Sequence, residues 1–191
     1  MVAIVVLVGV FVAAWGVGAY NGLVKQQEGV STAWAQVENV YQRRADLIPN
    51  LVETVKGYAK HEQSTFESVT KARSEATSIK VDPADLTPEK LKEFQAAQGE
   101  LSNAIGRLLA IQENYPELKA DTHFLELQSQ LEGTENRIAV ERKKFNETAQ
   151  GYNTTIRTFP KNIVASLCGF DRRPYFEAEA GADKAPKVSF D

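Results

Sequence analysis

One cysteine and two histidines occur in the 191 residues. A lone cysteine excludes an intramolecular disulfide framework. Cys168 lies between neutral Leu167 and Gly169 with no histidine near it in sequence, so it reads as a small buried apolar side chain rather than a catalytic thiol. His61-Glu62 opens like an HExxH metal motif, but position 65 is Thr65, and no second imidazole follows one turn later. His61 keeps the company of Lys60, Glu62 and Gln63, a solvated face. Phosphate-binding glycine loops and the GxSxG nucleophile elbow are also missing. No catalytic residue, metal ligand or cofactor site is therefore assigned. The net charge of −3, from 22 basic and 25 acidic side chains, leaves no clustered positive surface of the kind nucleic acid requires.

What the chain does have is one long apolar run. Residues 2–19, VAIVVLVGVFVAAWGVGA, contain no charge and no proline. At about 1.5 Å of rise per residue, such a helix approaches the roughly 30 Å of a bilayer's hydrocarbon core. In hydrocarbon an isolated segment can satisfy its backbone only as a helix. Residues 1–20 are thus predicted to be a transmembrane anchor in contact with the lipid bilayer. A cleaved signal peptide fits less well, because no Lys or Arg precedes the run and no Ala-x-Ala triplet closes it. Trp15 and Tyr20 suit the headgroup level at one end. Lys25 is the one basic side chain close to the span, so the positive-inside rule gives both orientations nearly equal weight. The soluble part is expected to lie outside the cytoplasm.

After the anchor the apolar residues follow helical spacing. Leu23, Val30, Trp34, Val37 and Tyr41 form a first stripe. No Gly or Pro lies between Val30 and Ile48, which lets the anchor helix continue past Asn21 and Gly22. Pro49 then predicts either a break or tight turn near Ala45, with Asp46 as N-cap and Pro49 in the first turn of a second helix, or a kinked continuous helix, and the turn is the preferred reading. That helix would carry Leu51 or Val52, Val55, Ala59, Phe66, Val69, Ala72 and Ala76 and end before Asp82-Pro83. Thr87-Pro88-Glu89 reads as N-cap, N1 proline and acidic first turn of a third helix running to Tyr115. Phe124, Leu131, Ile138, Phe145, Tyr152 and Phe159 recur every seven residues, with Leu127 and Ile156 on the companion position. A seven-residue apolar repeat of this length is a packing seam, of a bundle or of a coiled coil. A short apolar piece, residues 163–168, closes at Gly169, and residues 171–191 show no period and read as an irregular, partly mobile tail.

Polar residues stand beside these seams: Arg44, Glu62, Arg73, Glu113, Glu135, Asn136 and Arg142. Buried charge must be paired, so they are expected to pair across the helices and fix register. Arg43, Arg44, Asp46, Glu135, Asn136 and Arg142 are the candidate interaction or register residues. Ala14, Gly18 and Gly22 lie four apart on one face of the anchor, where small side chains let a second helix approach. The sequons at Asn146 and Asn153 fall inside the last long helix and read as incidental.

The residues Tyr20-Asn21-Gly22-Leu23-Val24, Ala33-Trp34, and above all Arg43-Arg44-Ala45-Asp46-Leu47-Ile48-Pro49-Asn50-Leu51-Val52, resemble the LemA family of bacterial membrane-anchored proteins. The likeness continues through Val55-Lys56-Gly57-Tyr58, Glu113-Asn114-Tyr115-Pro116, Glu135-Asn136-Arg137-Ile138, Phe145-Asn146, Tyr152-Asn153, Phe159-Pro160 and Gly169-Phe170. It departs from the family pattern at Phe145, where tyrosine is frequent, and in having no basic residue before the anchor. The resemblance implies an all-α protein: residues 1–20 as anchor, residues 21–170 as an antiparallel four-helix bundle of long helices, and the tail. It carries over no enzymatic motif. The expected function is a non-enzymatic scaffold of the cell envelope that self-assembles as a homo-oligomer or binds envelope partners. The family's gene company with membrane-linked proteases supplies the alternative, an adaptor subunit of a membrane protease.

Overall fold

The computed structural model describes residues 1–177, and residues 178–191 of the expected tail lie outside the described residues. The described chain is all-helical. Helix α1 spans Val2–Tyr58, α2 Gln63–Ser78, α3 Pro88–Ala110, α4 Pro116–Lys119, α5 Thr122–Arg157 and α6 Lys161–Cys168, with short 3-10 turns at Pro83–Asp85 and Ile111–Asn114.

Helix α1 is one uninterrupted element of 57 residues, about 85 Å long. Asn21 and Gly22 do not break it, and neither does Pro49. The expected turn near Ala45 is therefore corrected: Asp46 caps nothing, and Leu51, Val52 and Val55 belong to α1 rather than to a second helix. Asp46 instead accepts a hydrogen bond from Gln42 one turn earlier, at 2.7 Å. Proline removes a backbone donor and leaves the carbonyl four residues back without its helical partner. Here that carbonyl belongs to Ala45, and Arg73 on α2 donates its Nε–H to it at 2.7 Å. A tertiary hydrogen bond thus takes over the one that proline removes.

Helix α3 begins as its sequence dictates, with Thr87 Oγ1 accepting from the Lys90 N–H and Pro88 in the first turn. It ends at Ala110 instead of Tyr115, the chain tightening into a 3-10 turn before Pro116. Helix α5 starts at Asp121, whose carboxylate accepts from the Phe124 N–H at 2.7 Å. Along α5, Phe124, Leu131, Ile138, Phe145 and Tyr152 are buried, but Phe159 is not. The Phe159-Pro160 pair ends the helix at Arg157, so the seventh-residue rhythm stops carrying side chains inward there.

Helix α5 runs back along α1. Tyr58 meets Asp121, Arg44 meets Glu135, and the ring of Trp34 meets that of Phe145. Helix α2 packs on α3, and α6 packs on both α1 and α5. The interior divides into two apolar clusters. One gathers Ile48, Leu51 and Val55 of α1 with Phe66 and Val69 of α2, Leu101 and Leu108 of α3, and Phe124 and Leu131 of α5. The other, nearer the apolar run, centres on Trp34, with Leu23, Tyr41, Phe94, Phe145, Tyr152 and Phe176. Gly169, at φ 72, closes α6 in the left-handed conformation that glycine adopts without strain.

Candidate functional site

Between the two apolar clusters lies a polar layer. Arg44 is almost wholly buried, at 1% exposure. Its Nη1 donates to Ser102 Oγ at 2.7 Å and to Glu135 Oε1 at 2.9 Å. Nη2 donates to the Gln98 carbonyl at 3.1 Å and to Gln98 Oε1 at 2.5 Å. The guanidinium also lies over the Tyr41 ring, 5.0 Å from its centre. Gln98 in turn donates from Nε2 to the Ala76 carbonyl at 3.3 Å, one of the last-turn carbonyls of α2 that have no partner within their own helix. One arginine and one glutamine thereby connect α1, α2, α3 and α5. Nε of Arg44, also buried, has no hydrogen-bond partner among the described residues, but the groups bound by Nη1 and Nη2 come together only in one alignment of the helices, a means of fixing register.

A second polar device holds the C-terminal segment. Asn146 accepts from the Phe176 N–H at 2.8 Å and donates to the Phe176 carbonyl at 3.0 Å. Asn153 accepts from the Arg173 N–H at 2.8 Å and donates to the Arg173 carbonyl at 2.8 Å and to the Tyr175 hydroxyl at 2.9 Å. Seven helical residues advance about 10 Å, and so do three extended ones. The two asparagines are spaced to grip residues 173 and 176 of an extended strand of chain. That grip sets the Phe176 ring into the core, stacked on Trp34 with centroids 5.9 Å apart and edge-on to Phe145 at 5.5 Å. Arg142 covers its outer side, 4.9 Å from the ring centre, and donates to the Glu177 carbonyl at 2.9 Å. Residues 171–177 have no helix or strand, yet they are docked rather than loose.

The residues singled out from sequence therefore separate. Arg44 and Glu135 meet, whereas Arg43, Asp46, Asn136 and Glu113 stand exposed on their helices. Cys168 is exposed, contrary to expectation, because eight-residue α6 turns Ala165 inward instead. His61 and His123 are both exposed, and the described residues contain no group of three or more His, Cys, Asp or Glu side chains placed to hold a metal. Asn146 and Asn153 were missed. The signal was present as an aromatic-Asn dipeptide, Phe145-Asn146 and Tyr152-Asn153, repeated at seven residues.

In the apolar run, large side chains from Val2 to Val17 are exposed to the surroundings of the fold. It is the one described helix long and apolar enough to cross a membrane by length and composition. Apart from the helix's own backbone, no described atom comes within 4 Å of where a Cβ would sit on Gly18 or Gly22, and Ala14 is exposed.

The family model for LemA matches residues 33–190. The chain belongs to the LemA family. Magnetosome protein MamQ of Magnetospirillum gryphiswaldense is 30% identical over 181 residues, covering 86% of this chain and 66% of that protein. Magnetosome protein MamQ 2 of Paramagnetospirillum magneticum matches to the same extent. Protein LemA of Metamycoplasma hominis is 27% identical over 174 residues, covering 91% of this chain and 75% of its own. The chain thus spans a little under two thirds of the length of its magnetosome relatives. The LemA match takes in Arg44, Arg73, Gln98, Glu135, Asn146, Asn153 and Phe176, so the polar layer and the asparagine grip both lie within it. With an apolar N-terminal helix ahead of that region, the protein is a membrane-associated member of the LemA family.

Proposed function

We propose that this LemA protein is a membrane-anchored helical module that works by assembling with itself or with other components of the cell envelope, without a catalytic site of its own. Residues 1–20 form a single-pass anchor, residues 21–170 an antiparallel four-helix bundle, and the soluble part lies outside the cytoplasm. The observation that carries the proposal is the continuity of α1. One helix supplies both the exposed apolar run and the core-forming residues Leu23 to Val55. Any contact made in the membrane is therefore transmitted rigidly to the bundle. Ala14, Gly18 and Gly22 form the open face through which a second copy would pack. Relatives named for a cellular structure, the magnetosome, favour a structural part over that of a diffusible enzyme.

Light scattering of the full chain in mild detergent tests this. The expected result is a defined assembly whose mass falls on Gly18→Ile substitution while circular dichroism stays that of the wild type. A mass unaffected by Gly18→Ile removes the anchor face from the proposal. A wild-type monomer shifts the reading to an adaptor for a membrane protease. Arg43, which is exposed, is then the residue to replace in co-purification, since Arg44 is buried in the fold.

A further inference from the structure

Outside the apolar run, large exposed hydrophobic side chains are mostly scattered singly: Tyr58, Leu125, Val140 and Tyr175. One group is different. Phe159 is 76% exposed, Ile163 50% and Leu167 81%. Ile163 and Leu167 lie one turn apart on the same face of α6. The opposite face of α6 is already used, since Ala165 and Val164 pack into the cluster of Leu23, Tyr152 and Ile156.

The position of this edge identifies what covers it. Phe170, just past α6, sets its ring edge-on to that of Tyr20 with centroids 5.6 Å apart. A span that begins at Val2 has risen about 28 Å by residue 20, close to the thickness of the hydrocarbon core. The Phe159, Ile163 and Leu167 edge therefore stands beside α1 where α1 leaves the bilayer. Arg157 and Arg172, both exposed, and half-buried Lys161 belong to the same end of the fold and outnumber the exposed carboxylate of Asp171 there. A short helix with an apolar edge and basic neighbours is suited to lie in a membrane interface.

We propose that α6 and Phe159 make a second membrane contact, lying in the plane of the interface with Phe159, Ile163 and Leu167 at the boundary of lipid headgroups and acyl chains, and Arg157, Lys161 and Arg172 among the lipid phosphates. The proposal rests on the reading of α1 as a bilayer span. It gives the bundle two points of attachment, so the bundle is held upright on the membrane instead of swinging from one helix.

The test uses the full chain in vesicles of phosphatidylcholine and phosphatidylglycerol, with one nitroxide label at a time. Collisions with oxygen, which concentrates in lipid, are compared with those of a water-soluble nickel chelate. Labels are placed at Leu167→Cys, Ile163→Cys, Glu126→Cys and Val10→Cys, each in a Cys168→Ser background. The expected result is oxygen-dominated collision at 163 and 167 and nickel-dominated collision at 126, at the far end of α5. A water-like signal at 163 and 167, with 10 still in lipid, overturns the membrane contact of α6 alone. Low collision with both reagents at 163 and 167 also overturns it, because protein then covers the edge. A water-like signal at position 10 overturns the span reading itself.

Discussion

Arg73 donates from Nε to the carbonyl of Ala45 at 2.7 Å, and Ala45 is the residue whose helical donor Pro49 has eliminated. The arginine is half-buried, and a hydrogen bond from a charged donor contributes about 1.5–3 kcal/mol, with the lower end fitting a partly solvated site. Arg73→Met is expected to cost about 1.5 kcal/mol in denaturant unfolding of the full chain in detergent. In a Pro49→Ala background the backbone N–H returns, and the cost of the same substitution should fall by at least about half. Additive effects of the two changes would show that Arg73 serves something other than the Ala45 carbonyl.

The polar layer makes a graded prediction. Glu135 is 47% exposed at its side chain, so its ion pair with Arg44 is partly screened. Gln98 is 7% exposed and supplies two of the acceptors that Arg44 uses. Glu135→Gln should therefore cost under about 1 kcal/mol. Gln98→Leu leaves part of a buried guanidinium and the Ala76 carbonyl without partners, and should cost about 3 kcal/mol. Equal losses in the two variants, or a larger one for Glu135→Gln, would mean that the ion pair and not the glutamine holds the layer.

The asparagine grip predicts a local effect. Asn153→Ala removes three hydrogen bonds to residues 173 and 175, and Asn146→Ala removes two to residue 176. The amides of Arg173 and Phe176 should lose hydrogen-exchange protection by about tenfold or more, while those of the α1 and α5 core keep theirs. Loss of protection throughout the bundle would place the segment in the global folding unit instead.

The helices themselves were legible because each leaves a 3.6-residue or seven-residue apolar trace, and Thr87-Pro88 announced its cap in local sequence. Pro49 misled because the compensation for it, Arg73, lies on another helix, and no local rule reports a donor 28 residues away. Arg44 and Glu135 could be picked out as polar residues beside seams, but not Gln98, whose partners Arg44 and Ala76 come from two other helices. Phe159 matched the seven-residue rhythm and still lies outside, since the proline after it ends the helix that would have turned it inward. The docking of residues 171–177 was hidden for another reason. Their composition resembles a loose terminus, and the residues that hold them are on α5.

Tyr152 is 1% exposed, yet its hydroxyl has no hydrogen-bond partner among the described residues. A buried phenol of this kind forfeits its hydrogen bonds to water, at a cost of about 1 kcal/mol or more. Tyr152→Phe keeps the ring in the Trp34 cluster and removes the cost, so the variant should be more stable than wild type by about 1 kcal/mol. Burial also pushes the hydroxyl's pKa above its ordinary value of 10.0; nearby Arg173 opposes the shift and Asp171 adds to it. The unfolded chain releases this proton near pH 10 while the folded one retains it. Below about pH 10 the phenol is neutral in both states and leaves stability unchanged with pH; as the pH rises from there through the raised folded value, wild-type stability is progressively lost. Unfolding free energies measured from pH 8 to 11 should show the gap between the variant and wild type widening above pH 10. A variant less stable than wild type at pH 8 would mean that the hydroxyl has a partner, and a gap that stays constant would mean that it does not titrate with folding.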